Sequence, residues 1–248
     1  MLSNEHRGSL YAILSGFLYG FVGYFGVSAI RGSLSVTNML FWRFLIASLF
    51  IAIILVFQTQ HPKISRRDLR MAFANGIIFY GFSTMLYFFA CPYIGSGLAM
   101  VIFFTYPAMV MLLNHFFYGQ QIPIVYYFAI AIISSGMPLF VDTHEVQFDI
   151  LGIVLSLFSA LLYAGYLVSS KKISSFSPLI STFMVCLGCM LTNLLISLAN
   201  HSLAVPLGLP IWLDLLGIGI LSTAAPVLLL LYGLNYISAE KTAVLSVL

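Results

Sequence analysis

Apolar residues run through this chain in long, nearly unbroken stretches. Eight of them, at 9–30, 35–57, 69–91, 95–118, 122–141, 150–170, 178–199 and 211–236, have about the twenty residues a helix needs to cross a bilayer core. A ninth starts near 239 and reaches only Leu248, about ten residues, which is too short to cross. The links between runs are brief: Pro92-Tyr93-Ile94 joins the third to the fourth, and Gly119-Gln120-Gln121 the fourth to the fifth. The pattern predicts an all-α polytopic membrane protein with eight complete spans and a truncated ninth. No link is large enough to be a soluble domain, so any chemistry lies within the membrane.

Composition sharpens this reading. Hydrophobic residues make up 61% of the 248 and charged residues 7%, where soluble domains carry about 25% charge. Mean hydropathy is +1.07. A fold of this size needs a polar exterior in water, which excludes a soluble enzyme, a nucleic-acid binder and a disordered chain. The formal charge of +3 comes without a basic block that would hold a nucleic acid. Cys91, Cys186 and Cys189 fall inside apolar runs and read as small packers. The C-x-x-C of Cys186 and Cys189 lacks the polar setting and further ligands of a zinc or redox site, so no metal and no cofactor are expected. The first apolar run is too long for a signal-peptide core and has no clear cleavage site after it. It reads as a retained helix.

Basic residues orient the spans. With the N-terminus cytoplasmic, Arg7, Lys63, Arg66, Arg67, Arg70, Lys171, Lys172 and Lys241 lie inside and only Arg31 outside, with Arg43 within a span. The acidic stretch Asp142, His144, Glu145 and Asp149 then falls outside. The expected location is the inner (plasma) membrane, multi-pass, N-terminus inside.

The chain also matches itself. At a shift of 144, Gly8, Ser15, Leu18 and Tyr19 meet Gly152, Ser159, Leu162 and Tyr163. At a shift of 143, Gly76, Tyr93-Ile94 and Val101 meet Gly219, Tyr236-Ile237 and Val244. Two copies are expected, 1–142 and 149–248, the second incomplete at its C-terminus by one and a half helices. Five spans per copy is odd, so the second enters from the opposite side. Inverted repeats of this kind are a carrier device, with the substrate site near the midplane where they meet.

These features resemble the EamA family of the drug/metabolite transporter superfamily. The similarity lies in G-x-x-x-A-x-x-S-x-x-L-Y-G (Gly8, Ala12, Ser15, Leu18, Tyr19, Gly20), in W-R-F-L-x-A (Trp42 to Ala47), in the hairpin Tyr87 to Pro107, and in its second copy Leu231 to Ala243. It covers essentially the whole chain, and the order of the motifs carries it. The resemblance implies a ten-helix carrier that exports amino acids or similar small solutes from a bacterial inner membrane. Two departures stand out: Gly119-Gln120-Gln121 replaces an acidic residue usual after span four, and spans nine and ten are largely missing.

Polar groups inside a bilayer are costly and generally face a cavity or a partner. Arg43 lies about eight residues into span two, roughly 12 Å along the helix. It reads either as a cation for an anionic or zwitterionic substrate or a gate, or as a side chain snorkelling to the outer interface or capping helix C-termini. Ser156, Ser159, Tyr163, Tyr166 and Ser170 share one face of span six, a hydroxyl stripe suited to a passing solute or to close helix packing. Tyr19 faces the matching side of span one. Tyr80 and Tyr87, with Gly76 and Ser83, do so in span three. Pro107 and Pro226 lie well inside their spans, where a missing N–H favours a kink or hinge and frees a carbonyl. Tyr106 adjoins the first. The substrate-binding set is thus Tyr19, Arg43, Tyr80, Tyr87, Tyr106, Ser159, Tyr163 and Tyr166. No Asp or Glu lies mid-span, which argues against carboxylate-based proton coupling. Ile94-Gly95-Ser96-Gly97 lacks the first glycine of an intramembrane protease motif and there is no P-loop, so no catalytic residue is expected.

The expected function is a secondary transporter working by alternating access on a small-molecule substrate, with the lipid bilayer as surroundings and a homodimer left open. A lipid or lipid-linked-sugar flippase and a non-transporting or truncated product are the alternatives.

Overall fold

The computed structural model describes residues 3–32, 34–58, 65–119, 149–172 and 177–247, together with 121, 124, 126–128 and 131. The predicted fifth span, 122–141, therefore lies almost wholly outside the described residues. The remaining elements, in order, are α1 (Asn4–Tyr19), α2 (Val22–Arg31), α3 (Val36–Phe57), α4 (Arg66–Asn75), a π-helical segment (Gly76–Gly81), α5 (Phe82–Phe103), α6 (Tyr106–Tyr118), α7 (Ile150–Lys172), α8 (Pro178–Ala199), α9 (Leu209–Leu216), a second π-helical segment (Gly217–Ala224), α10 (Ala225–Tyr236) and α11 (Ala239–Leu245). There is no strand among the described residues.

Local sequence accounts for many of the boundaries. Ser3, Ser35, Ser65 and Ser238 cap α1, α3, α4 and α11, each side chain accepting from a main-chain N–H of the first turn. Gly119 closes α6 in a left-handed conformation. Gly95, at φ 76° and ψ 153°, interrupts α5 beside the expected hairpin at Pro92-Tyr93-Ile94. That combination is open to glycine and strained for any other residue.

Among the described residues, six helical stretches are long and apolar enough to cross a membrane: Asn4–Arg31, Val36–Phe57, Arg66–Phe103, Ile150–Lys172, Pro178–Ala199 and Leu209–Tyr236. The expected fourth span differs from a single run. It is divided at Phe104-Thr105 into the end of α5 and the thirteen-residue α6. Pro107 differs from the expectation of a mid-helix kink: it occupies the first turn of α6, after the break at Phe104-Thr105, where a missing N–H costs a helix little. Pro226 lies within the continuous helical stretch Leu209–Tyr236, just after the second π-helical segment.

The burial pattern is that of a protein in lipid. Phe57, Phe116 and Val56 are 78–80% exposed, and Phe17 and Phe158 also face outward. Arg43, Asn38, Ser15, Ser83, Asn193 and Thr223 are buried. An outer surface this apolar cannot face water, and the polar groups turn inward as they must in hydrocarbon. The chain is a multi-pass membrane protein.

The three most extensive helix pairs are α5 with α7, α3 with α8, and α1 with α10. Two of them use the same devices. In the first, Gly152 of α7 lies against Tyr93 and Ile94, with room for no more than a hydrogen, since a methyl there would sit 2.8 Å from Tyr93 Cβ. Further along, the Ser159 hydroxyl donates to the Ser83 carbonyl at 2.7 Å. In the second, a methyl on Gly8 would sit 2.7 Å from Tyr236 Cβ. There the Ser15 hydroxyl donates to the Pro226 carbonyl at 2.8 Å. Residue numbers rise along one partner as they fall along the other, so both pairs are antiparallel.

Candidate functional site

A cavity of about 50 Å³ opens among α1, α2, α3, the first π-helical segment, α5, α6, α7 and the turn at Ser246. Its wall includes Tyr19, Arg43, Tyr80, Tyr87, Tyr106 and Tyr163. Six of the eight predicted substrate residues thus share one space, although they come from positions 144 residues apart.

Helical spacing explains the convergence. Tyr163 projects from the buried face of α7 into the centre of the cluster. Its ring centroid lies 4.8 Å from Tyr106, 5.2 Å from Phe103, 6.0 Å from Tyr80 and 6.3 Å from Tyr19. Edge and tilted contacts at such distances are favourable beyond the area they bury. The hydroxyls tie the cluster to its surroundings. Tyr19 and Tyr80 meet at 3.3 Å. Tyr106 reaches the Ser246 hydroxyl at 2.6 Å and the Ala243 carbonyl at 3.3 Å, and Tyr87 donates to the Ser96 carbonyl at 3.4 Å.

The other two predicted residues stand behind the wall. Tyr166 is fully buried, its ring 5.1 Å from Tyr80 and 5.8 Å from Tyr163. Ser159 is engaged with Ser83: each hydroxyl donates to the other residue's carbonyl, at 2.7 and 2.8 Å, and the oxygens lie 3.3 Å apart. Ser83 itself lines the cavity.

Arg43 is 1% exposed, so it does not snorkel. Its Nε donates to Thr223 Oγ1 at 2.6 Å and its Nη2 to the Ser222 carbonyl at 3.5 Å. The Ser222 carbonyl lies at the end of the second π-helical segment, four residues before Pro226, which has no N–H to offer it. The Phe44 ring lies 5.1 Å from the guanidinium carbon, a cation–π distance.

Sequence reasoning missed several wall residues. Val22, Met100, Phe103 and Phe104 line the cavity, but nothing distinguishes an apolar side chain there from one facing lipid. Ser246 lies in the short ninth run, where no residue pattern sets it apart. Thr223 carried a signal only in hindsight, since it is related to Tyr80 by the 143-residue shift.

The sequence profile of the EamA-like transporter family matches residues 6–141 and 150–248. The chain belongs to that family. It is 25% identical over 240 residues to an uncharacterized transporter, YxxF, of Bacillus subtilis (strain 168), covering 94% of this chain and 75% of that one. A crystal structure of a protein 14% identical superposes with a TM-score of 0.81, over 97% of this chain and 84% of the other. At that identity the likeness shows the fold alone. With its apolar helices, this EamA-family chain is a membrane protein of a transporter family.

Proposed function

We propose that this EamA-family protein is a secondary carrier that exports amino acids or similar small metabolites across the inner membrane by alternating access. Its N-terminus faces the cytoplasm, where eight of its ten basic residues would lie. The cavity walled by Tyr19, Arg43, Tyr80, Tyr87, Tyr106 and Tyr163 is the substrate site, backed by Ser159 and Tyr166. The helical segments at Pro107 and Pro226 are the hinges. The observation that carries this reading is that the cavity wall draws on both proposed repeats, 1–142 and 149–248.

The repeat itself has support in the contacts. Ser15 bonds Pro226, and Ser159 bonds Ser83. Adding 144 to 15 gives 159, and subtracting 143 from 226 gives 83. Gly8 against Tyr236-Ile237 and Gly152 against Tyr93-Ile94 obey the same two shifts. The π-helical segments obey it as well, with Gly76 matching Gly219. Two halves that exchange equivalent contacts suit a carrier whose halves rock about a central site, and π segments often mark functional positions.

The test is flux in proteoliposomes. Purified protein should take up radiolabelled amino acids or small organic acids saturably, and Tyr163→Ala should reduce uptake at least tenfold while the protein still folds. No uptake of any solute above protein-free vesicles overturns the proposal. Movement of a fluorescent lipid between leaflets in place of solute uptake makes the protein a flippase.

A further inference from the structure

Arg43 carries more hydrogen-bonding capacity than its protein partners use. A guanidinium is always charged and presents five donors in a fixed fork. The Nε–Nη2 edge is turned to Thr223 and Ser222. Nη1, on the other side of the fork, is buried and has no hydrogen-bond partner. An unpaired buried charge costs several kcal/mol, and a free donor in hydrocarbon adds to that cost.

No acid among the described residues supplies the missing partner. Glu5 pairs with Lys241, Glu240 accepts from Asn114, Asp214 from Ser28, and Asp149 from the first turn of α7. Asp68 lies in the first turn of α4. Among the described residues, Arg43 is the only charged side chain in the cavity wall. The position 143 residues beyond Arg43 is Cys186, so the matching position carries no charge.

We infer that the cavity binds a small organic monoanion whose carboxylate is held by Arg43 Nη1. This rests on the carrier reading above and narrows its substrate. A carboxylate accepts a charge-assisted hydrogen bond and cancels the buried charge in one contact. The Tyr80 and Tyr19 hydroxyls, which now meet each other at 3.3 Å, are further donors on the same wall. The rest of the wall is aromatic or apolar, with Val22, Met100, Phe103 and Phe104, and suits a short carbon body. No carboxylate lies among the described wall residues to hold an ammonium group, so an organic acid fits this wall better than a zwitterion. A water needs about 10–15 Å³ of such space. The cavity of about 50 Å³ thus has room for a few waters, or for a small solute.

Pyruvate, pyruvamide and alanine are three probes of that size that differ in charge. Equilibrium dialysis of the purified protein against radiolabelled pyruvate should show saturable binding. Pyruvamide and alanine should compete at least tenfold less well than unlabelled pyruvate. Arg43→Gln should weaken pyruvate at least tenfold, and Arg43→Lys should fall between. The competition needs no variant, so it stands even if Arg43→Gln does not fold. Equal competition by pyruvamide overturns the anion site, and tighter binding of alanine overturns the organic-acid assignment in favour of a zwitterion. Vesicle flux separates the two proposals. Alanine uptake without pyruvate binding sinks the anion site and leaves the carrier standing. Pyruvate binding without any flux keeps the site and sinks the carrier.

Discussion

The reciprocal contact of Ser83 and Ser159 makes a prediction about additivity. Each hydroxyl donates to a main-chain carbonyl, at 2.8 and 2.7 Å, and not chiefly to the other hydroxyl, which lies 3.3 Å away. Main-chain carbonyls survive a change of side chain. Ser83→Ala therefore removes one bond and leaves the other, and Ser159→Ala does the converse. Neither strands a buried carbonyl, because each already accepts within its own helix. Interhelical hydrogen bonds in membranes contribute about 0.6 kcal/mol on average and at most about 1.7. Each single variant should cost about 0.6 kcal/mol and the double variant about 1.2, with a coupling below about 0.5 kcal/mol. Unfolding of the purified protein in mixed micelles by titrated denaturing detergent measures all four corners of the cycle. A coupling above about 1 kcal/mol would refute the reasoning, because the direct hydroxyl contact would then dominate. Transport should survive Ser159→Ala with little change in KM, since its hydroxyl is spent on helix packing.

Three further perturbations probe other parts of the account. Gly8→Ala and Gly152→Ala place a methyl 2.7 Å and 2.8 Å from the Cβ of Tyr236 and Tyr93; each should destabilise by about 1–3 kcal/mol, and clearly unequal costs would count against equivalent halves. Thr223→Val removes the acceptor of the 2.6 Å bond from Arg43 Nε and should cost about 1.5–3 kcal/mol, with Thr223→Ser close to wild type in the same unfolding assay. Tyr106→Phe gives up the 2.6 Å contact with Ser246; it should cost about 1 kcal/mol and lower flux more than Tyr11→Phe, whose ring packs on Tyr232 and Tyr236 away from the cavity.

Much of this architecture could be read in the sequence because a bilayer imposes a simple rule: apolar runs of about twenty residues become helices. The tyrosine cluster was legible for a related reason. Residues three and four apart share a helix face, and a polar face inside a membrane turns toward other polar faces. Other features left no such trace. Nothing in Gly76–Gly81 or Gly217–Ala224 signals π-helical turns, since hydropathy is blind to hydrogen-bond register. The bond from Arg43 to Thr223 spans 180 residues and appears only once α3 packs against the second π segment. The contact of Arg43 with the Ser222 carbonyl depends on that same packing. The division of the fourth span at Phe104-Thr105 was also hidden, because the apolar run continues through it.

The central claim is that the tyrosine-lined cavity lies on a water-accessible path. Single cysteines at 106 and 163, in protein whose Cys91, Cys186 and Cys189 are replaced by alanine, test it directly. Membrane-impermeant thiol reagents should label both positions. Cysteines at the outward-facing positions 17 and 158 should stay unlabelled in lipid. Failure to label 106 and 163 from either side of the membrane would contradict the account.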